Sequence, residues 1–291
     1  MKLISSIYND LELKLNINYL DGAILMVPYL ALNYDKENNL NIDEAIKLLN
    51  DSNKIVILGI NKIFKPSEID IAKEFINKYK DLNLYFYTAD MGINNILIEL
   101  GMSNKIIYNP ETMITNYLDL SVLNEFKFDA YGLSLEITLN DLKLCYEKTN
   151  ANIIYQLFGY RLMFYSNRQL LSLYEKKINM DIPKEGYLKE ITRNDYNPII
   201  ENENGTLIYG PYIVSMINEF RNLSFLKYGY IESYNIDKNT YQIILKTFYD
   251  LNLNKITNDQ AINIINNLNL NLSDGFKYKD SVYQKEELKI G

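Results

Sequence analysis

Short apolar runs recur along the chain, and each leads into a segment whose apolar residues return every three to four positions. The runs are Leu3–Ile7 (LISSI), Ala23–Val27, Ile55–Ile60, Leu84–Thr88, Lys105–Tyr108, Ala130–Leu135, Asn152–Leu157 and Leu226–Ile231. Most lack clean polar alternation, as expected of parallel strands covered on both faces. The helical pattern is clearest over Asn41–Asp51, where Ile42, Ala45, Ile46 and Leu49 form one stripe, and in the segment opened by Pro66 and Ser67. It returns over Ile93–Leu100, Tyr117–Phe126, Leu139–Lys148, Gln169–Lys176, Tyr212–Asn222 and Asn239–Asp250. LELKLNINY, between the first two runs, reads as a short helix or a loop. Eight strands alternating with helices predict an α/β fold, a (β/α)8 TIM-barrel-like domain. A doubly wound open sheet is the alternative, and the missing glycine-rich first turn counts against it.

One stretch breaks the rhythm. Asn204-Gly205 is a tight-turn signal between two apolar runs, and it predicts a β-hairpin excursion over Gly186–Gly210 between the seventh helix and the eighth strand. The expected organisation is a barrel over 1–255, with the hairpin at 186–210, and a C-terminal helix and extended tail over 256–291 packed on it. Thr257 is the expected cap of that last helix.

Composition narrows the chemistry. The 291 residues contain no histidine, which excludes Ser-His-Asp and Cys-His catalysis and any histidine-ligated metal. Acid–base work would fall to Asp, Glu, Lys or Tyr. The single cysteine, Cys145, sits in a helical context and reads as apolar filling; alone it cannot form an internal disulfide or hold an iron–sulfur cluster. No HExxH, CxxC or EF-hand pattern points to a metal. The net charge of −7 gives no support for gripping nucleic acid unaided. The opening MKLISSIYNDLELK is too short and too acidic for a signal peptide, and no apolar run approaches the roughly 20 residues that span a bilayer. A soluble, cytoplasmic protein with no membrane contact is the expectation.

In such barrels the site lies at the carboxyl ends of the strands. That rule selects Asn9, Asp10, Pro28, Tyr29, Asn61, Lys62, Asp90, Asn109, Glu111, Glu136, Arg161 and Glu232. Glu136 is either a carboxylate serving nearby backbone N–H groups or an inward-facing acid, base or arginine partner. Asp90 is a ligand residue or the cap of the helix near Ile93. Asn109-Pro110-Glu111-Thr112 reads as helix-start chemistry. Glu232 faces the mouth or a solvated loop. Arg161 and Arg168, two of only four arginines, stand in FGYRLMFYSNRQLLSLYEKK, read as the loop and first helical turn after strand seven. That is where these barrels commonly hold anions, and guanidinium forks suit carboxylates and phosphates. Ser166 and Asn167 are the expected caps there, although Arg168 has a local acid such as Glu175 or Glu136 as an alternative partner. Tyr165 is a packing residue or a stacking platform for a planar ligand.

NPETMITN (109–116), GLSLEITLNDL (132–142), FGYRLMFYSNRQLLSLY (158–174), ENENGTLIYG (201–210) and DGFKYKDSVYQK (274–285) together resemble the collagenase-like peptidase family, class U number thirty-two. The resemblance runs from about Ile55 to the end. Within the family the chain is most similar to the smaller, cysteine-poor member of a bacterial pair that makes 5-hydroxyuridine at the tRNA wobble position. The resemblance implies a barrel, a larger paralogous partner subunit and contact with tRNA through the complex. The segment that carries cluster-binding cysteines in other members has none here, and Phe158 replaces the common histidine before Gly159, so no cluster or other bound cofactor is expected. The common Arg-Glu pair is Leu135-Glu136, so only Glu136 carries over, as a candidate catalytic acid. The leading expectation is a tRNA-hydroxylation subunit binding a small anionic metabolite, a possible hydroxyl source, near Arg161, Arg168 and Glu136. Asp90, Asn109, Tyr165 and Glu232 complete the candidate ligand set. A peptidase and a non-catalytic scaffold are the alternatives, and whether the chain is itself an enzyme stays open.

Overall fold

Strands that must be apolar on both faces need a layer inside and a layer outside, and the chain supplies both by simple alternation. Ile4, Ile24, Ile57 and Ile154 point to one core, whereas Leu3, Leu25, Leu58 and Tyr155 point to the other. The computed structural model describes residues 1–34, 40–192 and 194–279. It shows a closed barrel of eight parallel strands: β1 (Lys2–Ile7), β2 (Gly22–Met26), β3 (Ile55–Ile60), β4 (Tyr85–Thr88), β5 (Ile106–Tyr108), β6 (Ala130–Gly132), β7 (Ile153–Ser166) and, later in the chain, β11 (Tyr228–Ile231). Closure comes from β11, which pairs with β1 through Lys2↔Tyr228 and with β7 through Tyr228↔Ile154.

The helices α1 (Asp10–Asn16), α2 (Ile42–Asp51), α3 (Ile69–Tyr79), α4 (Met91–Glu99), α5 (Tyr117–Asn124) and α6 (Leu139–Thr149) cover the outside. Their starts follow cap chemistry. Asn9, Asn41, Asp90, Asn116 and Thr138 each accept a backbone N–H of the first turn. No helix among the described residues is long and apolar enough to cross a membrane.

The main departure from the sequence reading lies after the seventh run. FGYRLMFYS is neither loop nor helix; β7 continues through it for 14 residues in all. The reason is a partner strand. After α7 (Leu170–Ile178) come β8 (Glu185–Lys189), β9 (Tyr196–Asn202) and β10 (Gly205–Ser215), and β10 runs antiparallel to the upper half of β7 from Thr206↔Ser166 to Ser215↔Phe158. The expected hairpin is therefore part of a sheet extension, β7-β10-β9-β8, that leaves the barrel lip. The helix read over Tyr212–Asn222 is a second correction. Its first part is β10, and only Phe220–Leu223 is helical, as one 3-10 turn. A third concerns Ser166 and Asn167, which do not cap α7. Its first amides go to Thr206 Oγ1 (2.9 Å from Leu170 N) and to the Glu201 carboxylate (2.7 Å from Leu171 N). A side chain of the sheet thus fills the place where an anion was expected.

The chain ends with α8 (Lys238–Asn252), α9 (Asn258–Asn266), which is capped by Thr257 as expected, and β12 (Leu272–Ser273), which pairs with β10. Lys277 then fastens this segment to the barrel. Its ammonium, 1% exposed, meets Glu219 at 3.2 Å, Asp274 at 2.8 Å and the Ser215 carbonyl at 3.0 Å. The rest of the expected tail, 280–291, lies outside the described residues. Lys277→Ala leaves Glu219 buried without its counter-charge. It is expected to cost roughly 3 kcal/mol, read as a lower urea midpoint at unchanged slope.

Candidate functional site

At the carboxyl ends of the barrel strands two acids meet a ring of tyrosines. Glu232, just past β11, accepts from Tyr8 Oη (2.8 Å), Ser6 Oγ (2.8 Å) and the Tyr234 amide (3.0 Å). Glu111, past β5, sits with φ at +61°, a strained setting for a non-glycine residue. Asn109 holds it there. Asn109 Oδ1 accepts the Glu111 amide at 3.2 Å, and Asn109 Nδ2 donates to Tyr87 Oη at 2.6 Å and to Glu111 Oε1 at 3.4 Å. Tyr209 and Tyr230 complete the wall; Asn33 Nδ2 donates to Tyr209 Oη at 3.4 Å, and Tyr230 Oη to Gln156 Oε1 at 3.4 Å.

Two glycines make this packing possible. A Cβ on Gly132 would lie 2.1 Å from Asn109 Oδ1. One on Gly159, at φ +125°, would lie 2.7 Å from Glu232 Cβ. Gly159 is the glycine of the FGYR phrase, and its role is to let β7 pass close beneath Glu232.

Burial dominates the electrostatics. It pushes Glu111 up to about 7, with the Glu232 carboxylate adding to the effect. Burial also raises Glu232, partly offset by its hydrogen bonds from Tyr234, Tyr8 and Ser6. The same desolvation holds Tyr8, Tyr87, Tyr209 and Tyr230 far above the ordinary phenol range, so all four stay protonated. Near neutral pH the mouth therefore holds a carboxyl that can give or take a proton beside hydroxyl and amide groups. That set suits an uncharged hydrogen-bonding ligand, or proton transfer at one. No lysine or arginine lines the inner pocket among the described residues, whereas Lys184 and Lys238 line the cleft outside it.

The space is divided. The inner pocket between Glu111, Glu232 and the tyrosines is about 40 Å³. Outside it, between α1, β8, β9 and the loop after β11, lies a cleft of about 540 Å³. Tyr8 and Asn33 line both.

The sequence-derived candidates divide accordingly. Glu232 and Asn109 stand in the mouth. Asp90 caps α4 and accepts the Phe64 amide at 3.0 Å. Glu136 is exposed after β6, its amide donating to Ser134 Oγ at 3.2 Å. Tyr165 donates to the Asn204 carbonyl at 3.0 Å and braces the sheet extension; burial lifts its hydroxyl to about 12. Arg161 lies in β7, not in a loop, on the face opposite Tyr160 and Leu162. Its Nη1 donates to the Leu135 carbonyl at 2.5 Å, and its Nε and Nη2 find no acceptor among the described residues. Arg168 is exposed beyond the end of β7, about 20 Å along the extended chain from Arg161. The guanidinium groups and Glu136 thus do not form one anion-binding rim. Glu111, Tyr8, Tyr87, Tyr209 and Tyr230 were not among the expected ligands. For Glu111 a signal existed, since it stands just past a strand end.

Fold and site together define a (β/α)8-barrel protein whose mouth is flanked by an antiparallel sheet extension and lined by half-buried carboxyls and tyrosines. The chain belongs to peptidase family U32, whose profile matches residues 32–276. Among curated proteins it is similar to tRNA hydroxylation protein P2 of Bacillus subtilis (strain 168), 25% identical over 208 residues. That match covers 68% of this chain and 65% of the relative, a little under two thirds of its length. Among solved structures, a U32 peptidase aligns with a TM-score of 0.49 and 8% identity over 80% of this chain and 92% of the other. A chitinase from Chromobacterium violaceum ATCC 12472 aligns at 0.43 and 8%, over 86% and 99%. Neither overlay is close enough to inform the site.

Two outcomes follow from the geometry. Because the folded chain keeps a proton on Glu111 that the unfolded chain loses near 4.5, stability should fall as pH rises from about 4.5 to 7 and level off above. Glu111→Gln should remove that slope. At pH 8 it should gain on the order of 1–3 kcal/mol over the parent, and at pH 4 nothing, in urea titrations across pH. Gly159→Ala forces a side chain into positive φ against Glu232; a cost of roughly 1–3 kcal/mol is expected by the same measurement.

Proposed function

We propose that this chain is a component of a tRNA wobble-uridine hydroxylation system, acting with a larger subunit of its own family. The observation that carries the reading is the likeness to the B. subtilis tRNA hydroxylation protein over 208 residues, within a family match that spans most of the chain. The site supports it in kind. A cleft of about 540 Å³ is large enough for a nucleoside-sized ligand, and its floor meets Tyr8, whose hydroxyl is bonded to Glu232. The walls present amides, phenols, carboxyls and the two lysines Lys184 and Lys238. In this reading the group that reaches the inner pocket is neutral and hydrogen-bonding, because that pocket holds Glu111 and Glu232 and is lined by no lysine or arginine among the described residues. The redox chemistry belongs to the partner.

A peptidase reading gains nothing from the geometry. Cys145 is buried on α6, and burial pushes its thiol up to about 11, the reverse of an activated nucleophile.

The test is mass spectrometry of bulk tRNA from a strain lacking the gene. Loss of at least nine-tenths of the 5-hydroxyuridine derivatives is expected, restored by the parent gene and not by Glu232→Gln or Tyr8→Phe. Unchanged derivatives in the deletion strain refute the function. Full restoration by both variants would instead make the chain a scaffold.

A further inference from the structure

The sheet extension carries a run of tyrosines that leads from its free edge to the barrel mouth. β8 is the last strand of the sheet, and Glu185, Tyr187 and Lys189 share one face of it. That face looks onto the cleft, since Glu185 lines it and Tyr187 Oη lies 3.4 Å from Asn235, another of its walls. Tyr187 and Tyr196 are 59% and 54% exposed, unusual for rings on one small sheet. Lys189 Nζ sits 5.1 Å from the centre of the Tyr196 ring, its partner across the β8–β9 pair. Inward, Tyr160 and Tyr234 pack against the Leu207–Tyr209 cluster, and Tyr234 lines the cleft. Tyr234 stacks on Tyr209 at 4.2 Å between centroids and 25° between planes, and Tyr209 is a wall of the inner pocket. Tyr196 and Tyr187 thus stand on the exposed edge of the extension, and the stacked pair Tyr234–Tyr209 stands at its inner end beside the pocket.

We propose that this tyrosine track is the surface on which single-stranded RNA bases stack to bring one base into the cleft. The proposal rests on the tRNA reading above and names the face of the chain that meets the RNA. Each ring face accepts any base, so a track of them is sequence-tolerant. Charge fits as well. Residues 158–210 hold seven Lys or Arg and seven Asp or Glu, so the segment that carries this face is neutral and the −7 of the chain lies outside it. Few lysines stand along it, so stacking rather than phosphate neutralisation dominates, and affinity should vary weakly with salt. The slope of log affinity against log salt is expected near −1.

The experiment uses the full chain and a synthetic anticodon stem-loop RNA with unmodified wobble uridine, followed by fluorescence anisotropy. Tyr187→Ala with Tyr196→Ala should weaken binding about ten-fold or more. Tyr187→Phe with Tyr196→Phe should bind as the parent does, because the ring faces remain. Both rings are exposed, so melting temperatures should be unchanged. With 5-iodouridine in the loop, photocrosslinks should map to β8, β9 or Tyr234. Equal affinity of the alanine pair and the parent overturns the proposal, as do crosslinks confined to other elements, a salt slope steeper than about −4, or no binding by the parent. If the alanine pair alters only sedimentation of the chain with a protein partner, the face belongs to that partner and the proposal falls. Hydroxylation that survives deletion of the gene sinks the functional reading. Hydroxylation lost on deletion but fully restored by the alanine pair sinks the track alone.

Discussion

Everything at the mouth depends on holding two half-buried carboxyl groups near each other with no cation lining their pocket among the described residues. Glu232 meets the cost with three donors, from Ser6, Tyr8 and Tyr234. Glu111 has fewer and keeps its proton to about pH 7 instead. The backbone concedes space for both, in the missing Cβ atoms of Gly132 and Gly159 and in the positive φ of Glu111. Such concessions lower stability and persist only where surrounding structure enforces them. Here the enforcing structure is the barrel, whose two cores lock β1, β5, β6, β7 and β11 in register around the acids.

The sheet extension follows from the same strand that accommodates Glu232. Past Gly159, β7 leaves its parallel neighbours and pairs with β10, with ladder irregularities between Ile208 and Ile213. Tyr160 and Leu162 then pack with Leu207 and Tyr209 over the barrel mouth, and Arg161 is turned to the outer face, toward the Leu135 carbonyl. A strand that ended at Leu157 would leave the carboxyls open to water, and their raised proton affinity would be lost.

How much of this was legible in the sequence depends on whether the signal was local. The eight barrel strands were, because burial on both faces writes continuous apolar runs. Glu232 and Asn109 were found by the strand-end rule, and Thr257 and Asp90 by cap chemistry. The extension of β7 was not, since FGYRLMFYS has no tight alternation until its partner β10, about forty residues away, sets the ladder. Arg161 misled for a related reason. A guanidinium among aromatic residues looks like an anion site, yet which face it takes is decided by a bulge visible only in the pairing. Glu111 stood on the same strand-end list but was read as helix-start chemistry with Asn109-Pro110, and nothing local announces that it takes a positive φ.

The division of space leaves Tyr8, with Asn33, as the link between the two compartments. An inner pocket of about 40 Å³ admits no more than a water or two, so a ligand in the outer cleft cannot touch Glu111 or Glu232 directly in this conformation. Tyr8 lines both spaces and donates to Glu232 at 2.8 Å. Because burial and the neighbouring carboxylate hold its phenol well above the usual range, it stays a donor across physiological pH. The protonation state of the acids therefore reaches the cleft as the direction of one hydroxyl. With Glu232 charged, Tyr8 Oη donates inward and offers the cleft a lone pair. With Glu232 protonated, the hydroxyl is free to turn and donate outward. A site built this way couples the protonation of an acid to the hydrogen-bonding direction of one hydroxyl in the cleft.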